Sequence, residues 1–339
     1  MPNPILSICL PTFNRASLID EAIAALLLGI AEHGPSVELV ISDNSSTDGT
    51  RDLLHRIGNR PNVSIYFNDT NVGAAKNFDL AVQRANGEFC WIVGDDDLIC
   101  PDGIGKVLSV LREHSEIDFA FVNAYLDIVS ERASSCSRRR ADLATCDLPV
   151  QCKDRTNRLL NSWNELIDPR ISGVYLGSMM MCIFRREAWL RGRHALQFGE
   201  PFCSTLPSTY PHCVVFANAM VGHGAFYIGE PCIIARWGGQ EWKNYLPVIC
   251  AFWLHQLLDY YQEHGVEAWR IVRCRRVLLR TSGPAALKLL LQPRLPCRKH
   301  FSFVKYVRRF VFYKDCWLGL LIVPLYSGIK RWIRKMPSK

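Results

Sequence analysis

Residues 88–99 read Glu-Phe-Cys-Trp-Ile-Val-Gly-Asp-Asp-Asp-Leu-Ile, and this stretch decides the fold class. An apolar run ends at Gly94 and is followed by three adjacent carboxylates, Asp95, Asp96 and Asp97. Because a buried strand must end before charge can be presented, the triplet is predicted to follow the carboxyl end of a strand. Two of its side chains can there reach a hard divalent cation, whereas a solvated acidic loop is the simpler interpretation.

Strand and helix patterns alternate along the first 125 residues. Short apolar runs at 5–10, 37–42, 63–67 and 119–122 predict further strands, and the first three are each followed by a helical pattern. This alternation predicts an α/β fold with a Rossmann-like, mostly parallel sheet flanked by helices. Ligands of such sheets bind beyond the carboxyl ends of strands. Asn14, Asp43 and the triplet fall at those ends, so we expect them to converge on one site.

The charge of the chain is distributed unevenly. Its 339 residues carry a net charge of +8, but residues 270–339 hold 18 Lys or Arg and a single acid, Asp315. That segment has a net charge of +17, which leaves −9 for the remainder. The asymmetry predicts an acidic body and a basic tail that meets an anionic partner, with phospholipid and nucleic acid as the two candidates.

The cysteines and the amino terminus bear on the cellular compartment. Fourteen cysteines are scattered singly, without any Cys-x-x-Cys pair, which favours reduced thiols in a cytoplasmic protein over a disulfide frame or a zinc ribbon. The first residues lead directly into a strand pattern without a long apolar segment. We therefore expect no signal peptide.

Four motifs together carry a family resemblance. They are residues 11–15 (Pro-Thr-Phe-Asn-Arg), 42–50 (Ser-Asp-Asn-Ser-Ser-Thr-Asp-Gly-Thr), 71–73 (Asn-Val-Gly) and the triplet 95–97. In order and spacing they resemble the family-2 glycosyltransferases with the GT-A fold, and most of all the abequosyltransferase-type enzymes that add sugars to lipid-linked O-antigen units. The resemblance covers roughly residues 5–125, and four ordered motifs are more specific than any one of them.

The resemblance implies a nucleotide-sugar donor and a role for several residues. Asp43 would contact the base, Thr12 and Asn14 would line the nucleoside pocket, and Asp96 would lie near the ribose. Asp97 would hold Mg²⁺ or Mn²⁺, which as a Lewis acid neutralises the charge that develops on the departing nucleotide. The remaining donor-site residues supplied by the motifs are Pro11, Arg15, Asn71, Gly73 and Asp95.

The catalytic base is less clearly marked. Most members of the family use an Asp of a Glu-Asp pair downstream of the metal triplet, but residues 170–240 contain no such pair. His212 is the first substitute, because an imidazole near neutrality is suited to proton removal, and Glu200 is the second. A capping or structural role is the alternative for His212.

A late segment, residues 236–242, resembles the part of the family that closes over the donor diphosphate. Arg236 is predicted to compensate phosphate charge and Trp242 to stack on a sugar face. A surface loop with one packed Trp is an equally good interpretation of the same residues.

Helical patterns dominate beyond residue 240, at 246–261, 269–279 and 284–291. Residues 316–326 are almost purely apolar but too short to span a bilayer, which needs roughly 20 residues. With flanking Lys, Arg, Trp and Tyr they predict a helix pair in the interface of an anionic membrane, and the alternative is a buried helix that packs on the body. No nucleic-acid-binding motif accompanies the charge, so we expect no nucleic-acid partner.

These observations predict a GT-A domain over residues 1–240, with a donor half at 1–125 and an acceptor half at 126–240, followed by a helical basic region at 241–339. The expected protein is a metal-dependent, inverting glycosyltransferase at the inner face of the cell membrane. It would use a nucleotide-sugar donor and a polyprenyl-diphosphate-linked saccharide acceptor. A sugar nucleotidyltransferase is one alternative, although residues 11–15 lack the glycines of its phosphate loop, and a non-catalytic sugar-binding membrane protein is another.

Overall fold

The structure, a computed structural model, describes residues 3–58, 60–128, 148–237, 244–296 and 298–322. Its amino-terminal half is a parallel sheet of four strands, β1 (Leu6–Thr12), β2 (Val37–Asp43), β3 (Val63–Phe67) and β4 (Phe89–Ile92). The connecting helices are α1 (Ile19–His33), α2 (Thr50–Ile57) and α3 (Ala74–Arg84). Every residue of β1 and β2 is buried, as expected of the central strands of a covered parallel sheet.

The second half of the sheet is mixed. The strands β5 (Leu98–Ile99), β6 (Phe119–Ile128), β7 (Arg158–Leu160), β8 (Cys182–Arg185) and β9 (Ala225–Trp237) complete it in the order β3-β2-β1-β4-β8-β6-β9-β5, with β7 paired to β9. The strand β8 lies antiparallel between β4 and β6, and β9 runs parallel to β6. The predicted α/β fold with a mostly parallel donor half is confirmed.

The acidic triplet connects the middle of this sheet to its edge. The strand β4 precedes the triplet at the centre, whereas β5 follows it directly and pairs antiparallel with β9 at the far side. The helix α4 (Gly103–Glu113) then begins against β9. Its first residue, Gly103, lies so close to the carbonyl oxygen of Cys232 that a Cβ would overlap it. The end of β9 is thereby fixed next to the triplet.

Eight further α-helices of different lengths lie in the rest of the described chain. They are α5 (Arg186–Gly192), α6 (Leu206–Thr209), α7 (Pro211–Ala219), α8 (Leu246–Val248), α9 (Leu254–Glu263), α10 (Ala268–Leu291), α11 (Phe303–Phe310) and α12 (Lys314–Trp317). Two π-helical stretches, Ile249–Trp253 and Leu318–Ile322, continue α8 and α12. None of the helices in the described ranges is both long and apolar enough to cross a bilayer.

The helical region packs directly on the sheet domain. The hydroxyl of Tyr175 donates to the carbonyl of Cys274 on α10 (2.7 Å), and the hydroxyl of Tyr261 on α9 donates to the carbonyl of Tyr175 (2.9 Å). One hydrophobic cluster runs through both parts. The same core therefore includes residues before and after the expected boundary at 240 and 241, and that boundary stays a prediction.

The helix α10 differs from the expected pair of helices at 269–279 and 284–291. It is one helix of 24 residues with Pro284 inside it. Proline removes a backbone hydrogen bond and usually ends a helix. Here Ser282, Gly283 and Ala286 are buried on either side of Pro284, so tertiary packing keeps the two halves in one helix.

The chain after α11 packs against α10 through small residues and one buried acid. Asp315 is buried and accepts from Arg280 (2.5 Å) and Arg276 (3.1 Å). The backbones at Gly283 and Gly319 touch, so that a Cβ on Gly319 would overlap the carbonyl oxygen of Leu279. The inner face of this apolar segment thus follows the alternative of a helix that packs on the body.

Replacing Gly319 with alanine should separate these two backbones. The added Cβ has no room, so Gly319→Ala is expected to lower the free energy of unfolding by about 1–3 kcal/mol, measured by urea denaturation. The control is Gly173→Ala, whose Cβ would have no atom within 4 Å. Equal stability of the two variants would show that the segment is not docked on α10.

Candidate functional site

The chain ends of β1, β2 and β3 are tied together by one residue, Asn44, through its backbone amide and its side chain. The amide of Asn44 donates to the carbonyl of Thr12 (2.9 Å), and its side-chain Nδ2 donates to Oδ1 of Asn71 (2.9 Å). The Oδ1 of Asn44 accepts from the amide of Val72 (2.9 Å). Three strand ends far apart in sequence therefore form one continuous rim, which includes the predicted Thr12, Asn71 and the adjoining Gly73.

The loop after β1 is held in place by the loop after β2. Asn14 has a positive φ of 53°, a conformation that Asn tolerates better than most residues. Its amide donates to Oγ of Ser46 (2.9 Å), and its Oδ1 accepts from the amide of Thr47 (2.8 Å). The amide of Arg15 donates to Oγ1 of Thr50 (2.9 Å). Pro11 lies in β1 itself, so Pro11 and Thr12 form the strand that leads into this loop.

Asp43 ends β2 and is completely buried. Its Oδ2 accepts from the amide of Ser46 (3.2 Å) and lies 3.2 Å from Nε of Arg51. Its Oδ1 is buried and has no hydrogen-bond partner among the described residues. An unsatisfied buried carboxylate oxygen is costly, and a ligand that offers a donor there would satisfy it.

The triplet concentrates negative charge in a buried turn. Asp95 lies 3.3 Å from Nε of Arg15, and burial raises the pKa of Asp95 to about 6 despite that cation. Burial raises the pKa of Asp97 as well, and the neighbouring charge of Asp96 raises the pKa of Asp97 further. The pKa of Asp96 is also raised by burial. The protein thus leaves carboxylate charge that its own cations do not fully offset.

Gly94 allows these carboxylates to fold back over the strand end. A Cβ on Gly94 would lie 2.6 Å from Oδ2 of Asp97 and 3.0 Å from Oδ1 of Asp96. Any side chain at this position would therefore displace the triplet. The glycine that ends the apolar run in the sequence has a packing role at the site.

Arg236, near the end of β9, contacts the triplet. Its backbone amide donates to Oδ1 of Asp97 (3.3 Å). Its guanidinium pairs with Oε2 of Glu21 on α1 (2.7 Å). The antiparallel pairing of β5 with β9 brings these residues together although they are 139 positions apart.

The donor set fits a divalent cation in part. Among the residues that the structure describes, no group of three or more His, Cys, Asp or Glu side chains is arranged to hold a metal ion. Asp96 and Asp97 do present hard carboxylate oxygens, and the pKa of each carboxyl group is raised. A bound cation would stabilise their charged forms. These residues therefore fit Mg²⁺ or Mn²⁺ only as an ion whose coordination is completed by phosphate oxygens of a ligand.

His212 does not occupy the open position that a catalytic base requires. It is 4% exposed on α7, its Nε2 donates to the carbonyl of Leu176 (3.0 Å), and the Phe216 ring packs beside it. Burial lowers the pKa of His212 to about 4. This environment is that of a structural histidine, the alternative considered from the sequence, and it gives no support to the prediction of a base.

Glu200 lies in a more open place. It is exposed, and the loop that carries it contacts α3 through Phe198, whose ring lies 4.5 Å from Nζ of Lys76. The ring of Phe202 in the same loop packs against Tyr245 (5.1 Å between centroids). Lys76 is in the first turn after Gly73, so the Glu200 loop borders the rim. Trp242 lies outside the described residues.

Three residues of the site were not singled out from the sequence. Asn44 and Ser46 lie within a motif that was quoted, and their hydrogen-bonding side chains next to Asp43 were a usable signal. Glu21 carried no such signal, because an acid in the first turn of a helix is ordinarily explained by the helix dipole. Its pairing with Arg236 depends on the tertiary fold.

Residues 7–173 match the family model described as glycosyl transferase family 2. The abequosyltransferase RfbV of Salmonella typhimurium is 29% identical over 248 residues, 68% of this chain and 66% of that protein. The GalNAc(5)-diNAcBac-PP-undecaprenol beta-1,3-glucosyltransferase of Campylobacter jejuni is 28% identical over 121 residues, 35% of this chain and 37% of that protein.

Among solved structures, Staphylococcus aureus TarS in complex with UDP has a TM-score of 0.58 and 17% sequence identity. The match covers 87% of this chain and 76% of that one. At this identity the likeness establishes the fold alone, which is that of the GT-A glycosyltransferases. This chain spans just under two thirds of the length of RfbV and about a third of the Campylobacter enzyme.

The pKa of His212 leads to a prediction about pH. An unfolded histidine binds a proton near pH 6.5, whereas His212 in the fold binds one only near pH 4, so stability falls as pH falls between these values. His212→Gln lacks this loss. Relative to wild type, its free energy of unfolding should gain about 2 kcal/mol between about pH 7.5 and about pH 4.5, measured by urea denaturation.

The same variant tests the proton-transfer role. Turnover of His212→Gln should stay within about tenfold of wild type, since loss of a general base costs about 10²–10⁴-fold. A loss of that larger size in a variant with an intact fold would return His212 to the catalytic machinery.

Proposed function

Because this chain belongs to glycosyltransferase family 2, we propose that it transfers a sugar from a nucleotide-sugar donor to a lipid-linked oligosaccharide during the synthesis of a cell-surface polysaccharide. Membership of the family makes it a glycosyltransferase rather than a sugar nucleotidyltransferase or a non-catalytic binding protein. The observation that carries the proposal is the convergence of Asp43, the triplet and Arg236 on one rim of the sheet.

The donor nucleotide is proposed to bind along this rim. The unpaired Oδ1 of Asp43 would accept a hydrogen bond from the base, which relieves the cost of its burial. Thr12 and Asn14 would line the nucleoside, and Asp96 would lie near the ribose. Arg15, Asn71, Gly73 and Asp95 complete this donor set, in which Arg15 is held by Asp95.

The diphosphate is proposed to lie between Arg236 and Asp97. Asp97 would hold Mg²⁺ or Mn²⁺, which when bound offsets the charge of the departing nucleotide. The guanidinium of Arg236, which pairs with Glu21 on α1, would bind a phosphate oxygen. Trp242 is retained as a proposed contact of the sugar face.

The acceptor hydroxyl must lose a proton as the new bond forms. We propose that the carboxylate of Glu200 accepts this proton, since Glu200 is exposed on a loop that borders the rim. Direct attack of the hydroxyl on the anomeric carbon would invert its configuration.

The acceptor is proposed to be a saccharide linked to polyprenyl diphosphate. The name of the Campylobacter relative specifies such an acceptor for that enzyme, and RfbV is named for the transfer of abequose. The basic carboxyl-terminal region supports an anionic membrane as the place of reaction, with the protein held peripherally at the inner face.

Donor binding and turnover test this proposal. A panel of nucleotide sugars with Mn²⁺ should include one that stabilises the folded protein, by about 2.7 kcal/mol at a hundredfold excess over Kd, measured by thermal shift. Asp43→Asn should weaken this stabilisation with and without metal. Asp97→Asn should abolish its metal-dependent part and lower nucleotide release at least about a hundredfold.

The matched control is Glu113→Gln, which removes an exposed carboxylate at the end of α4. It should behave as wild type in both measurements. Stabilisation by no nucleotide sugar of the panel, or equal responses of Asp97→Asn and the control, would refute the assigned donor site.

The proposed base is tested by Glu200→Gln. Its kcat should fall by about 10²–10⁴-fold with little change in donor affinity, measured by steady-state kinetics and thermal shift. The control is Glu187→Gln, an exposed carboxylate on α5. Unchanged kcat in Glu200→Gln would place the base elsewhere.

A further inference from the structure

An exposed apolar corner lies where α11 turns into α12. Phe312 is 97% exposed, Leu321 is 57% exposed and Trp317 is 41% exposed. Folded proteins seldom leave a phenylalanine almost fully in water beside two further large apolar side chains. We call Phe312, Trp317 and Leu321 the Phe312 corner.

The members of the Phe312 corner are held close together by the fold. The indole Nε1 of Trp317 donates to the carbonyl of Val311 (2.9 Å), which places the indole beside the Val311–Phe312 turn. Trp317 and Leu321 are four positions apart in helical backbone, so they lie on one face.

The opposite faces of the same segments are buried. Tyr306 and Phe310 of α11 pack inward, and Cys316 and Leu320 do so after the turn. The Asp315 pairs with Arg276 and Arg280 and the contact of Gly319 with α10 fix this orientation. The Phe312 corner is therefore presented outward by a folded support.

Exposed basic side chains lie on the two helices that the Phe312 corner joins. Lys305 and Arg308 are exposed on α11, and Lys314 is exposed at the start of α12. The only acid of residues 270–339 is Asp315, which is buried and already paired with two arginines. Arg309 is paired with Asp259 of α9, so it is not counted among the outward charges. The corner thus combines exposed apolar side chains with exposed basic ones.

We propose that the Phe312 corner docks on an anionic phospholipid bilayer. Phe312, Trp317 and Leu321 would enter the interfacial layer, and Lys305, Arg308 and Lys314 would meet the lipid phosphates. The inference deepens the proposed function and rests on it for the lipid-linked acceptor. A second copy of the chain suits this surface poorly, because a two-fold contact would bring the same lysines and arginines face to face.

This surface differs from the interfacial helix pair expected from the sequence. There, the whole apolar block of residues 316–326 was expected to lie in the membrane. In the structure, Cys316, Gly319 and Leu320 are buried against the body. Within residues 316–321, only Trp317 and Leu321 are exposed. Docking therefore uses few apolar anchors and a basic rim.

Vesicle binding by the full chain tests the proposal. Co-sedimentation is compared for vesicles of phosphatidylcholine alone and of phosphatidylcholine mixed with phosphatidylglycerol. Wild type should bind the mixed vesicles, less so as salt is raised. Phe312→Glu should reduce the partition coefficient by about ten- to a hundredfold, and Lys314→Glu should reduce it on the mixed vesicles in particular.

The matched control is Leu28→Glu, which replaces a 59% exposed leucine on α1 and should bind as wild type. Urea denaturation checks that each variant folds. If Phe312→Glu does not fold, Lys314→Glu is used as the test variant in its place. Equal vesicle binding by the folded variants and the control would overturn the proposal. So would a wild-type dimer in sedimentation velocity that Phe312→Glu converts to monomer, which would assign the corner to a second copy.

Nucleotide release without vesicles separates this inference from the proposed function. Phe312→Glu should retain the wild-type response to the nucleotide sugar in solution. If Phe312→Glu loses vesicle binding but still uses the donor, the docking surface is supported and the donor site is unaffected. If wild type does not bind vesicles but uses the donor, the docking surface alone is overturned.

Discussion

The contact between the carboxylate of Asp97 and the amide of Arg236 joins the two halves of the sheet at the site. It exists because β5, only two residues long, pairs with β9 directly after the triplet. A buried carboxylate needs a donor, and a strand that ends beside it supplies one from the backbone. The triplet and the late arginine are therefore positioned by the same local pairing.

The rim also shows how a fold can leave charge uncompensated. Asp43 retains an unpaired oxygen, and burial raises the pKa of all three members of the triplet. These features oppose stability in the free protein, because an unsatisfied buried oxygen and buried like charges are both costly. A ligand with a donor for Asp43 and a cation at the triplet would relieve both, which couples binding to stability at one edge of the sheet.

Much of this arrangement was predictable from the sequence, and the reason differs between residues. Short apolar runs ending at polar residues predicted β1 to β4, since buried parallel strands leave a strong local pattern. The order of the sheet beyond β4 was not predictable, because the position of β8 between β4 and β6 depends on distant pairing. Neither was the burial of His212, whose hydrogen bond goes to Leu176, 36 positions away in the sequence. Pro284 was interpreted as a helix boundary, yet packing on both sides overrode its local preference.

The helix α10 serves two neighbours at once. The carbonyl of Cys274 on this helix accepts from Tyr175 of the sheet domain, while Gly283, Arg276 and Arg280 hold the segment that follows α11. A truncated chain that ended before Asp315 would leave two arginines without their shared carboxylate and bare a strip of α10. Its loss of activity would then report damage to the body as much as loss of the tail, so single substitutions on the outer face are the cleaner way to dissect this region.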